Sequence, residues 1–315
     1  MKMNILVTGG TGYIGKALVE SLADAGHQIW VTTRNKGEAA MTKKSILSVP
    51  IPPSHERYPE DFLENIDIVV NLAGENIGGS RWTADVKKRI IDSRLQVTGQ
   101  IIESCRHNRK AKRSYPKVLI NASAVGFYGV HEQATFTEAD GPGEGFLAEV
   151  CKEWENEARR GTHEGIRVVI LRFGVVLAAG GGMLQKMGKP FQWGVGGVVG
   201  EGNQWISWVH RDDVIQVIER AITDERMQGP YNLCSPNPVT MQEMTRVLAE
   251  AIRKPAWTNM PSWAARLVFG EMADEMLLQG QRVIPANLEK LGYAFKYARL
   301  EEALRAIYST VAVQK

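Results

Sequence analysis

Apolar residues gather in short runs at 4–7, 28–33, 67–72, 117–122 and 166–172, and segments of helical period separate most of them. Runs this short and this continuous predict strands buried on both faces, and their alternation with helices predicts a parallel sheet with helices on either side. The first helix is expected to turn Ile14, Ala17, Leu18, Leu22 and Ala25 inward and to stop at Gly26. A second should start at Thr83 and bury Val86, Ile90, Val97, Ile101 and Cys105. A third, from Phe146 to about Arg160, should bury Val150, Trp154 and Ala158.

The pattern breaks after residue 173. Ten glycines lie between Gly174 and Gly202, which argues against a regular helix and for loops with short strands. Order returns at Trp205–Val209, followed by a helix expected to be capped by Asp212 with Val214, Val217, Ile218 and Ala221 inward. A strand at Tyr231–Leu233 comes next, and a capping box at Thr240–Glu243 opens a further helix to about Arg253. From 255 onward the pattern is mostly helical, punctuated by Pro255, Pro261 and Pro285. The expected organisation is a main domain from 1–175 and 205–235, with a smaller lobe from 176–204 and 236–315.

Gly10-Thr11-Gly12-Tyr13-Ile14-Gly15 sits between the first strand and the first helix, the context that turns a glycine pattern into a dinucleotide-binding turn of a Rossmann-type, doubly wound α/β fold. Gly9, Thr11, Gly12, Tyr13, Ile14 and Gly15 are therefore expected to hold the pyrophosphate, with backbone N–H groups at the positive end of the helix meeting its charge. Thr32-Thr33-Arg34-Asn35-Lys36 follows the second strand with no acid before Glu38. An acid there would bind a ribose 2'-hydroxyl, whereas Arg34 would pair a 2'-phosphate, so the expected cofactor is NADP(H). Leu72, Ala73 and Gly74 close the next recognised strand, where small residues let a cofactor approach the backbone.

Composition narrows the partners. A net charge of +3 spread over scattered bases gives no stripe for nucleic acid and no strong attraction to a membrane. Three distant cysteines suggest neither a disulfide framework nor a zinc site, the six histidines lack metal-ligand spacing, and no metal is expected. The expected compartment is the cytoplasm, since no signal-peptide core and no membrane-length apolar run is evident.

Together with the glycine turn, Asn71-Leu72-Ala73-Gly74, Ala122–Gly129, Leu171-Arg172-Phe173 and Trp208–Asp213 resemble extended short-chain dehydrogenase/reductases over nearly the whole length. More narrowly, Gly74–Ile77, Arg81-Trp82, Ser93-Arg94, Cys151–Glu155 and Gly280–Arg282 resemble the atypical branch labelled epimerase family protein, of the NAD-dependent epimerase/dehydratase superfamily. The resemblance implies a discontinuous substrate lobe. It also implies a Tyr deprotonated with help from a Lys four residues on, yet here no Tyr has that Lys, and Ala148 stands four residues before Lys152.

Ser123 and Tyr128, after the fourth apolar run, are the remaining catalytic candidates, able to polarise a carbonyl or relay a proton; the alternatives are a turn hydroxyl and a buried ring. Glu75 and Arg94 are expected beside the cofactor, and Lys152 on its ribose. Arg81, Trp82 and Arg282 are expected around a small substrate, anionic or ring-bearing. His210, Asp212 and Asp213 find no nucleophile motif to serve. Two functions stay open: an oxidoreductase or epimerase-like enzyme, and a non-catalytic NADPH sensor or partner-binding protein.

Overall fold

The computed structural model describes residues 2–33, 43–53 and 56–313. Seven strands form the central sheet: β1 (Asn4–Thr8), β2 (Gln28–Thr33), β3 (Ile46–Pro50), β4 (Ile68–Asn71), β5 (Val118–Ala124), β6 (Arg167–Phe173) and β7 (Gly229–Leu233). All pairs are parallel, in the order β3-β2-β1-β4-β5-β6-β7. The longer helices are α1 (Gly15–Asp24), α2 (Ala84–Lys110), α3 (Phe146–Arg159), α4 (Gly182–Gln192), α5 (Arg211–Thr223), α6 (Met241–Ile252), α7 (Ser262–Phe269) and α8 (Leu300–Val313).

The period of two explains the layers. Ile5, Val7, Val70, Ile120 and Leu171 face α1 and α5, packing with Leu18, Leu22, Val214 and Val217, while Leu6, Val69, Leu119 and Ile170 face α2 and α3 with Ile101, Cys105 and Ala158. Both faces being apolar is what makes the strands read as unbroken runs. A third core joins α4, α6 and α8 through Leu184, Phe191, Met244, Leu248 and Leu304, under Trp208.

Three expectations need correction, and one strand was not anticipated. Ala25 is exposed and Ala17 only half-buried; α1 instead buries Val19 and Ala23 beside Leu18 and Leu22. The edge strand β3 escaped notice because only one of its residues, Ile46, is buried. A regular helix, α4, lies inside the glycine-rich stretch: the glycines cluster before its first turn, after which Leu184 and Phe191 supply a buried face. The cap of α5 is His210, whose Nδ1 accepts from the Asp212 N–H at 3.1 Å, so Asp212 lies within the first turn. Thr83 and Thr240 cap α2 and α6 through their hydroxyls as their spacing implies.

Candidate functional site

Strand order reverses between β1 and β4, since the chain runs outward to β3 and then returns to the other side of β1; open α/β sheets place ligands at such a point. The glycines of the β1 turn do different work. Gly9 has φ +71°, and a Cβ there would lie 2.6 Å from the Leu72 carbonyl oxygen. A Cβ on Gly15 would lie 2.2 Å from the Gly9 oxygen. Gly12 is exposed, and only that same oxygen comes near its would-be Cβ, at 3.1 Å. Gly9 and Gly15 thus close the turn against itself and against the β4 loop, while Gly12 keeps open the space above it.

No side chain caps α1. The Lys16 N–H is taken up by the Gly12 carbonyl at 3.0 Å, but the positive end of the helix dipole still faces the turn, and this cradle fits a dinucleotide pyrophosphate. Thr11 is exposed, Tyr13 and Ile14 are half-buried, and a cleft of about 410 Å³ opens between Thr11–Tyr13, Lys16, residues 179–181 and Arg211. Arg34, which bears the choice between NADP(H) and NAD(H), lies outside the described residues.

Below the cradle, polar side chains tie the strand ends together. Asn71 Nδ2 donates to Thr98 Oγ1 at 2.9 Å and to Asn121 Oδ1 at 2.7 Å, while its Oδ1 accepts from Thr8 Oγ1. Trp154 Nε1 also donates to Thr98. Leu72 is half-buried, Ala73 buried and Gly74 exposed. The Arg94 guanidinium lies against Gly74, within 3.0 Å of where a Cβ would be, and donates to the Glu75 and Ile90 carbonyls. It stands over the Trp154 ring and, among the described residues, pairs with no carboxylate; burial holds its pKa below the usual guanidinium range. The half-buried Glu75 is held by its own N–H, which donates to Ser93 Oγ.

Ser123 and Tyr128 are both drawn into a buried ionic chain. Ser123, 2% exposed, donates to Glu155 Oε1 at 2.8 Å. Glu155 takes two bonds from Arg172, at 2.8 and 2.9 Å, and one from Arg159. Arg172 donates in turn to the Tyr128 hydroxyl, which donates to Asn232 Oδ1. Burial pushes the Tyr128 phenol up to about 12 against the pull of Arg172, so it stays protonated near neutrality. Neither hydroxyl is free in this arrangement. Glu155 and Arg172 were missed as a pair, since only the fold brings these two residues, on α3 and β6, together.

Lys152 is exposed on α3, whereas its neighbour Cys151 is buried, its thiol pushed up to about 11 by burial. The four-residue step that lies beside Trp82 is Phe146 and Val150, in a carbon cluster with Val86, Ile90 and Met272. Trp82 is itself buried there, its Nε1 donating to the Ile77 carbonyl and its ring meeting Phe146 edge-on at 5.0 Å. Arg81 is exposed against Gly270, and Arg282 is exposed over the Trp205 ring; their contacts share no residue. Glu275 reaches in from the C-terminal segment and accepts the N–H groups of Phe146 and Leu147 at the start of α3. The His210 ring lies tilted against Tyr297 with centroids 4.1 Å apart, Asp212 pairs with Lys296, and Asp213 accepts the Lys296 and Tyr297 N–H groups, so that trio organises the fold around α5.

Comparison with known proteins adds to this geometry. Residues 5–234 match the NAD dependent epimerase/dehydratase family, and residues 260–307 a domain of unknown function, DUF1731. The chain is 38% identical over 306 residues to the epimerase family protein SDR39U1 homolog, chloroplastic, of Arabidopsis thaliana, covering 97% of this chain and 87% of that one. It is 37% identical to the epimerase family protein YfhF of Bacillus subtilis, covering 96% and 97%. The crystal structure of human epimerase family protein SDR39U1 (isoform 2) with NADPH superposes with a TM-score of 0.84 at 31% identity, over 98% of this chain and 99% of that one. UDP-glucuronic acid 4-epimerase from Bacillus cereus, solved with UDP-glucuronic acid and NAD, shares the fold at 19% identity and a TM-score of 0.78, over 99% and 100%.

Proposed function

The chain belongs to the NAD dependent epimerase/dehydratase family, and from that membership we propose that it binds NADP(H) above β1 and β4 without an acid/base pair of its own to serve the cofactor. Gly9, Gly12 and Gly15 shape the pyrophosphate cradle, the backbone of Thr11, Tyr13 and Ile14 lines it, and Leu72, Ala73 and Gly74 form the opposite wall beside Glu75 and Arg94. The human relative solved with NADPH supports this choice of cofactor, and Arg34 supplies the cation for a 2'-phosphate. Bound there, NADPH carries a transferable hydride.

The observation that carries the rest is the fate of the two hydroxyls. Ser123 has given its proton to a bond with Glu155, and Tyr128 is fixed between Arg172 and Asn232. A hydroxyl so engaged cannot also donate to a carbonyl unless a buried ion network opens. This favours a protein whose cofactor occupancy is the signal, read by a partner, over one built for rapid turnover. Three buried free cysteines suit a reducing cytoplasm.

One observation favours the enzyme reading: among the described residues Arg94, beside Gly74, makes no ion pair with a carboxylate and donates to carbonyls instead. It could receive an anionic substrate between the main domain and the smaller lobe of 176–204 and 236–315, with Arg81 and Arg282 at the rim and Ser123 or water handling the proton. Titration of NADPH and NADH into wild type and Arg34→Ala, with turnover assayed on carbonyl compounds and sugar nucleotides, separates the readings. We expect tighter binding of NADPH, about tenfold weakened by Arg34→Ala alone, and no turnover. Preference for NADH would overturn the cofactor assignment; turnover abolished by Ser123→Ala would return Ser123 to the chemistry.

A further inference from the structure

Among the described residues, seven of the nine exposed large apolar side chains lie in two segments, 193–195 and 257–268. They include three tryptophans, Trp193, Trp257 and Trp263, exposed by 78%, 75% and 69%, and Leu267 and Val268 on α7. The segments form one edge. Gly197–Val199 pairs with Thr258–Met260, Trp257 Nε1 donates to the Gly194 carbonyl at 2.8 Å, and a Cβ on Gly200 would lie 3.5 Å from Ser262 Oγ at the start of α7. Exposed apolar side chains gathered in this way mark an interaction site.

Residues 182–200 and 251–270 contain Lys186, Lys189, Arg253, Lys254 and Arg266, and the acids Glu201, Glu250 and Glu271 stand at their borders, Glu250 paired with Arg246 and Glu271 with Lys87. Arg266 is paired with Asp274 and Lys186 with the Gly78 carbonyl, whereas Lys189, Arg253 and Lys254 are exposed and, among the described residues, pair with no carboxylate. Beside the tryptophans a groove of about 660 Å³ runs between α6 and the 197–199 strand, lined by Arg246, Arg253 and Lys254 with one carboxylate, Glu250, already bonded to Arg246. Thr245 also lines the groove; it is 1% exposed, and among the described residues its buried hydroxyl has no hydrogen-bond partner. Arg253 holds a left-handed backbone, φ +54°, at the end of α6.

We propose that this face docks on an anionic lipid bilayer, with the indoles in the boundary between headgroups and acyl chains and a lipid phosphate in the groove. Indoles favour that boundary because the ring is apolar while its N–H needs a polar partner. Unpaired bases beside them add attraction to an anionic surface. A second copy of the chain fits less well, since two such faces would bring Lys189, Arg253 and Lys254 of each copy together, while Glu250 is already taken up by Arg246. The inference is independent of any turnover.

The test is flotation of the full-length protein with vesicles of phosphatidylcholine alone and of equal parts phosphatidylcholine and phosphatidylglycerol, read alongside tryptophan emission. We expect binding to the anionic vesicles with a blue shift, at least about tenfold weaker binding to neutral ones, and release by salt. Trp263→Ala and the double variant R253Q/K254Q, each checked for an unchanged melting temperature, should both lose binding. The proposal is overturned by absence of binding at low salt, by equal binding to both vesicles, or by binding that survives both variants. It is equally overturned if the variants instead dissolve a dimer, or abolish capture of an acidic protein, while vesicles are ignored.

Discussion

Gly12 and Gly15 stand three residues apart in one turn and face opposite constraints. A methyl group at 15 would have to displace the Gly9 carbonyl from 2.2 Å, and Gly9 is itself pressed against the β4 loop, so Gly15→Ala should unfold the turn and depress melting sharply. At 12 the methyl meets only one atom at 3.1 Å and projects into the space assigned to the pyrophosphate. Gly12→Ala should therefore melt within a few degrees of wild type while binding NADPH at least about tenfold more weakly. Calorimetry and NADPH titration of both variants measure this, and equal affinities for wild type and Gly12→Ala would remove Gly12 from the site. The glycine spacing located the turn in the sequence, but which glycine serves packing and which serves ligand depends on Leu72, more than fifty residues away. Ser123 shows the same dependence: a hydroxyl at a strand end is visible in the sequence, whereas its bond to Glu155, 32 residues on, is a property of the packed α3.

At the scale of elements, strands buried on both faces were legible because three or more successive residues at their centres are apolar, as in residues 5–7, 68–70 and 168–171, and α2, α3 and α6 because their buried positions keep a helical period. The edge strand β3 and helix α4 were not, since one has little buried surface and the other hides in a glycine-rich average. The start of α5 was read with the wrong cap, and its consequence is measurable. His210 is buried, caps the helix through an unprotonated Nδ1, and has its pKa pulled down to about 4 by burial. In the unfolded chain it titrates near its ordinary value of about 6.5. Between those values the unfolded state binds more protons, so this contribution is complete above about pH 6.5 and is lost as pH falls toward 4, amounting to at most about 3 kcal/mol. His210→Asn keeps a capping acceptor and removes the titration. Urea unfolding from pH 7 down to 4 should give a flatter profile for the variant. Asp213, pushed up by burial, contributes with the opposite sign but is present in both proteins, so their difference isolates His210. Parallel profiles would refute the assignment.

Across the whole molecule, the elements around the proposed cofactor site are each fastened to the C-terminal part of the chain or to the glycine-rich stretch. Tyr13 donates to the Ala178 carbonyl at 2.8 Å, and its ring fills the space that a Cβ on Gly181 would need. The loop after β4 is held by Lys186 of α4 at the Gly78 carbonyl, and the start of α3 by Glu275. A mild overall charge of +3 gave no hint of this arrangement, nor of the bases gathered near Trp257, because net charge averages over the surface. Three fastenings imply coupling: a ligand that binds only the ordered cradle stabilises whatever must be ordered with it, by RT ln(1 + [L]/Kd), about 2.7 kcal/mol at a hundredfold excess over Kd. Saturating NADPH should therefore slow amide hydrogen exchange beyond residues 9–15 and 72–75, in 178–192 and 270–278 as well. Tyr13→Ala removes the shortest of these routes without touching a backbone donor of the cradle. In that variant protection at 9–15 should persist while protection at 178–192 falls, and the 270–278 segment, tied through Glu275, should keep its response. Protection confined to the cradle in wild type would mean that the cofactor site and the C-terminal part open independently, and the proposed signal of cofactor occupancy would have no structural route outward.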